Sequence, residues 1–159
     1  MSIIQTGDLI FEKGEGPISS TIKKFTQSEY SHVAMVYDFP YIVHSHLIGG
    51  VQWDDISAVK NQFDVYRLKN GLTNNKKDQL KKAMLGYLGH KYDLSQIFGY
   101  LQMAIIKGDN KFNNPDEIIC NELVERCYNK IGYTLLKGVA LGDSTPGSLA
   151  KSKHLVRII

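Results

Sequence analysis

Residues 31–46 read SHVAMVYDFPYIVHSH, and the fold turns on how they are read. Strand side chains alternate between faces, so SHVAMVYD puts His32, Ala34 and Val36 on one face and Val33, Met35 and Tyr37 on the other. Pro40 has no N–H to give a ladder and breaks the run. YIVHSH then starts a second strand, on which His44 and His46 share a face. Strands joined by so short a turn pair antiparallel.

The pattern extends both ways. Leu9 to Glu12 form a short apolar strand after a Gly-Asp turn, and GPISSTIKKFTQS (16–28) carries Ile18, Ile22 and Phe25 at helical spacing. Gly49-Gly50 turns the chain into VQWDDIS, and FDVYRL (63–68) is a further strand with Phe63, Val65 and Tyr66 as core residues. The second half is helical. Leu80, Ala83, Met84 and Tyr87 mark a helix over about 75–87, with Gly89 as its stop. Tyr92-Asp93 open another through Ile106, closed by Gly108-Asp109, and KFNNPDE (111–117) is a polar loop. A helix from Cys120 to Lys130 has Leu123, Val124, Cys127 and Ile131 inward and Gly132 as its cap. STPGSLAKS is a loop with one helical turn, and LVRII is a terminal strand. Strands first and helices after predict an α+β fold, a small antiparallel sheet packed against helices.

The 159 residues suffice for one domain, expected over 1–159. With 43% hydrophobic and 22% charged residues the chain is globular, not disordered. A net charge of +3, spread over scattered lysines, argues against a nucleic-acid partner. Lys76, Lys77, Lys81 and Lys82 read as the solvated face of a helix. No stretch is apolar enough to span a bilayer, and the N-terminus lacks a secretory layout, so a cytoplasmic location is expected.

Cys120 and Cys127 on one helix stand apart by roughly 10.5 Å of rise, too far for a disulfide, which needs Cα atoms within about 7 Å. Cys127 falls in the apolar stripe and reads as core. Cys120 sits where a polar loop becomes a helix, and a helix N-terminus favours a thiolate and leaves N–H groups free for an oxyanion. It reads as a nucleophile or as a small buried core residue. A nucleophilic thiol needs a base, which His32 can supply, and the base needs an orienting group, which His44 or His46 can supply. A rival reading uses the His44/His46 pair with His32 and Cys120 as a zinc-like ligand set. His90 and His154 lie outside this cluster and are expected to be exposed.

These segments together resemble the circularly permuted branch of the NlpC-type papain-like superfamily, which includes the YiiX-like peptidases and the lecithin:retinol acyltransferase group. The resemblance covers most of the chain: TGDLIF (6–11), YSHVAMVYD with the first histidine, YIVHSH with the third polar residue, and IICNELVERCYNKIG with the nucleophile. STPGSLAKS resembles a loop that closes the cleft in YiiX-like members. The order is informative, because in unpermuted relatives the cysteine comes first. The resemblance implies Cys120 as nucleophile, His32 as general base and His44 as orienting residue. Many YiiX-like members have a glutamate at that third place, and the acyltransferase group a histidine. GHKYD (89–93) resembles a segment whose tyrosine reaches the site, so Tyr92 is an oxyanion or substrate contact, or else a core tyrosine. The implied activity is a cysteine-dependent hydrolase acting on a peptide or amide, with no cofactor. An acyltransferase or lipase acting on a lipid ester is the alternative, for which GYLQMAIIKG (99–108) would flank a greasy cleft, unless it is a core helix. A metal-binding or non-enzymatic module on the same fold is the third reading.

Overall fold

Leu9, Ile10 and Phe11 are all fully buried, which a strand achieves only with both faces covered. In the computed structural model, which describes residues 3–93, 118–140 and 143–159, this strand, β1 (Leu9–Glu12), is flanked on both sides. The sheet continues through β2 (His32–Asp38), β3 (Tyr41–His46), β4 (Gly50–Asp55), β5 (Phe63–Leu68) and β6 (Leu155–Arg157). Its order is β4-β3-β2-β1-β5-β6, antiparallel at every step. The described helices are α1 (Pro17–Thr26), α2 (Asn74–Gly86), α3 (Cys120–Lys130) and α4 (Pro146–Ala150).

The two faces of the sheet carry different cores. Leu9, Phe11, Val33, Met35 and Val43 pack with Leu80 and Met84 of α2 and with Leu123, Val124 and Cys127 of α3. On the opposite face Ile10, Ala34, Val36 and Ile42 pack with Ile4, Ile56, Val59 and Phe63. The alternation expected for residues 32–37 is thus the alternation observed. Gly132 follows α3 with φ +87°, the left-handed conformation that closes a helix.

Two features bring the start of α3 to the sheet. Gly50 has φ +70°, and a Cβ there would lie 2.0 Å from the His90 carbonyl oxygen. That approach lets the Val51 N–H bond His90 O at 2.8 Å, and the Ile118 N–H then bonds Lys91 O at 2.8 Å. The second feature is a seam. The β2–β3 ladder runs Asp38–Tyr41, Val36–Ile42, Met35–Val43 and stops, so Val33 and Ser45 do not pair. Ser45 instead donates its hydroxyl to Ile118 O. The strands part where α3 begins.

Some expectations need correcting. His90 and His154 are half-buried, not exposed: the His90 ring bonds Tyr87 O, and the Nε2 of His154 is buried. The lysines of α2 are not merely solvated, since Lys76 donates to Ile131 O at 2.6 Å and Lys81 pairs with Asp38 at 3.2 Å. Residues Tyr92 and Asp93 are not helical. The rest of the helix expected through Ile106 and Gly108-Asp109, and the loop 111–117, lie outside the described residues.

Candidate active site

Cys120 is the first residue of α3, after the extended Ile119. It is 4% exposed, and burial pushes its thiol up to about 11. Against that, backbone N–H groups of Val33, Asn121 and Cys120 itself act on the sulfur and favour its anion. The Val33 contact follows from the seam. In an antiparallel ladder, successive N–H groups point to alternate neighbours. Ala34 and His32 face β1, so Val33 turns its N–H toward β3, which has parted there. The sulfur takes the N–H of Val33, the residue after His32, in place of the missing strand partner.

On the other side of the seam stands a row of hydrogen bonds. His32 Nε2 lies 2.9 Å from His44 Nδ1, and His44 Nε2 lies 2.9 Å from Asp54 Oδ2. Gln52 Nε2 donates to the same Asp54 oxygen at 2.6 Å. Register explains the row: His44 is opposite Gln52 on β4, and Asp54 is two residues on, hence on the same face.

The proton positions follow from the partners. For Asp54, burial is outweighed by the hydrogen bonds from His44 and Gln52, which hold its carboxyl below the usual range; it is an acceptor only. His44 Nε2 must therefore be the donor. Burial lowers His44 more than Asp54 raises it, so its ring is neutral at neutral pH and Nδ1 is an acceptor. His32 Nε2 must then donate. Burial, with the nearby His44 and His46 rings, drives His32 well below the ordinary imidazole value, so it too is neutral and its Nδ1 keeps a lone pair. The row orients the His32 ring and leaves its Nδ1 unprotonated.

His46 is exposed, with its ring centroid 6.2 Å from that of His32 and 5.7 Å from that of His44. Tyr92 is half-buried and lines a cleft of about 300 Å3 with His32, Ser45 and His46. Cys127 is fully buried in the apolar stripe, and neither cysteine is bridged. Asp54 and Gln52 escaped the sequence reading. The signal was present, because VQWDDIS alternates like its neighbour and puts a carboxylate on the histidine face.

A six-stranded antiparallel sheet that carries His32, followed by a helix that begins with Cys120, is the order of a permuted papain-like α+β fold. A model of the permuted papain-like amidase enzyme family (YaeF/YiiX, C92 family) matches residues 3–155, and the chain belongs to this family. It is 29% identical over 162 residues to the uncharacterized protein YiiX of Escherichia coli K12, covering 94% of this chain and 72% of that one. It also resembles in fold the crystal structure of the metalloprotein yiiX from Escherichia coli O157:H7, with a TM-score of 0.74 at 22% identity, over 98% of this chain and 96% of that one.

Proposed function

We propose that this chain hydrolyses an amide bond through a thioester on Cys120, with His32 as base and His44 and Asp54 as positioning residues. The single observation that carries the reading is the Asp54–His44–His32 row, whose tautomers leave a lone pair on His32 Nδ1, on the residue before Val33, whose backbone N–H acts on the Cys120 sulfur. His32 Nδ1 takes the Sγ proton as sulfur attacks the carbonyl carbon. The thiol is protonated at rest, so transfer and attack are coupled. The N–H of Cys120 at the start of α3 serves the oxyanion, with Tyr92 as a further donor. The imidazolium then protonates the leaving amine, the C–N bond breaks, and water, deprotonated by His32, releases the acid.

The yiiX crystal structure is described as that of a metalloprotein. The histidines here do not fit a metal as they stand. His32 and His44 share a hydrogen bond, and the second nitrogen of His44 is held by Asp54, so both its nitrogens are engaged. Among the described residues no group of three or more ligand-type side chains converges.

The test is thiol labelling at neutral pH with limiting iodoacetamide, mapped by mass spectrometry. Fast labelling of Cys120 alone, slowed in His32→Ala and indifferent to chelator, supports the reading. Slow labelling unaffected by His32 overturns it.

A further inference from the structure

The cleft beside His32 has a floor that its own residues do not satisfy. Ser31 is 6% exposed, and its hydroxyl oxygen is buried without a hydrogen-bond partner. An unpaired buried hydroxyl is costly unless a ligand completes it. Ser31 lines this cleft together with Glu12, Gly14 and Ser19. Gly14 lets both hydroxyls approach its backbone: a Cβ there would lie 2.5 Å from Ser31 Oγ and 2.8 Å from Ser19 Oγ, too close to fit unless they move. Two hydroxyls therefore converge at the cleft floor over Gly14.

The cleft carries carboxylates and no cationic side chain among the described residues. Glu12 is the cross-strand partner of His32, and the Asn61 amide donates to only one of its carboxylate oxygens, at 2.6 Å. Glu15 adds a second carboxylate, and among the described residues no lysine or arginine lines the cleft. The neighbouring Lys13 is committed elsewhere, to Glu29 at 3.0 Å and Asp64 at 3.2 Å. This is an acidic cleft in a chain of net charge +3. A carboxylate and two hydroxyls offer acceptors to a group with three donors and no acceptor, which is an ammonium. Ile22 and Leu47 of the same cleft give an aliphatic wall.

We infer that this cleft binds the free ammonium of an α-aminoacyl amide with an aliphatic side chain, held by Glu12, Ser31 and Ser19. The inference rests on the hydrolase reading for its chemistry. Cross-strand neighbours stand about 5 Å apart at Cβ, so an ammonium on Glu12 lies within a few bonds of a carbonyl presented to His32. That spacing suits an α-amine and not a distant charge.

The test uses binding and not turnover, so that it separates from the catalytic reading. Cys120→Ala protein is titrated by NMR at about pH 6, where the amine is protonated, with L-leucinamide and with N-acetyl-L-leucinamide. Leucinamide is expected to bind about tenfold tighter, the scale of one charge-assisted contact. Glu12→Gln, which keeps an acceptor for Asn61, should bring the ratio close to one. Gly14→Ala should weaken leucinamide by pushing the Ser31 and Ser19 hydroxyls aside and serves as a second variant with the charge intact. Equal or undetectable binding of the two ligands, or a preference that survives both substitutions, overturns the inference while leaving the labelling of Cys120 untouched.

Discussion

Cys120 and Cys127 lie two turns apart on α3, and burial treats them alike. Both are inside the main core at 4% and 0% exposure, and burial raises both thiols, to about 11 and about 12. What separates them is what each sulfur meets. Cys127 meets apolar side chains, and only the charge of Lys130 favours its anion. Cys120 meets three backbone N–H groups at a seam in the sheet, one of them from Val33, the residue after the oriented His32. The difference teaches that burial and helix position do not tell two thiols apart. Directed donors do, and on the proposed reading a positioned base does as well.

Exchange of the two cysteines gives the largest expected contrast. Cys120→Ala should abolish amide hydrolysis. Cys127→Ala should keep activity within about twofold and cost roughly 1 kcal/mol of stability, the scale of a small group lost from a packed core. Urea unfolding measures the second, and an essential Cys127 would break the comparison. His32→Ala should lower kcat/KM by about 10²–10⁴, the usual range for a general base. Asp54→Asn should cost about 10–100-fold, as outer-shell partners do. Its mechanism is specific. An amide N–H at position 54 can donate to His44 Nε2, which reverses every donor in the row and puts a proton on His32 Nδ1. Asp54→Ala removes the partner without forcing that reversal and should cost less; the opposite ranking would sink the tautomer assignment.

Much of this was readable in the residues because it depends on local pattern. The alternation of 32–37 placed His32, the i, i+2 spacing placed His44 and His46 together, and the polar-to-apolar change placed Cys120 at a helix start. The seam was not readable. Nothing in SHVAMVYD or YIVHSH says that the ladder stops at Met35–Val43, since that is decided by Ile118 and Ser45, far apart in the chain. Without the seam, the periodicity alone sets His32 and the α3 core on opposite faces of the sheet. Asp54 was missed for a smaller reason: its value depends on the β3–β4 register, which fixes it beside His44 and not one residue away. The half-burial of His90 likewise follows from the Gly50 contact, a tertiary approach with no local signature.

The pH dependence probes the same two thiols. In the native protein His32 is neutral well below the ordinary imidazole value of 6.5, so Cys120 alkylation should hold its rate from neutral pH into the acid range. In His32→Ala the thiol must ionise alone, so the rate should start low and climb about tenfold per pH unit toward about 11, converging on the slow rise of Cys127. A flat profile in that variant would mean that the backbone N–H groups suffice to make a thiolate. Stability should carry the matching signature. His32 and His44 are both depressed on folding, so the unfolded chain binds protons first as pH falls below about 6.5. Their contribution is complete above that value and is lost as pH drops toward the folded values. The urea midpoint of the native protein should therefore decline between about pH 7 and 5 more steeply than that of His32→Ala. Equal slopes would mean that His32 titrates as a solvated imidazole, and the thiol of Cys120 would then lack the neutral base that distinguishes it from Cys127.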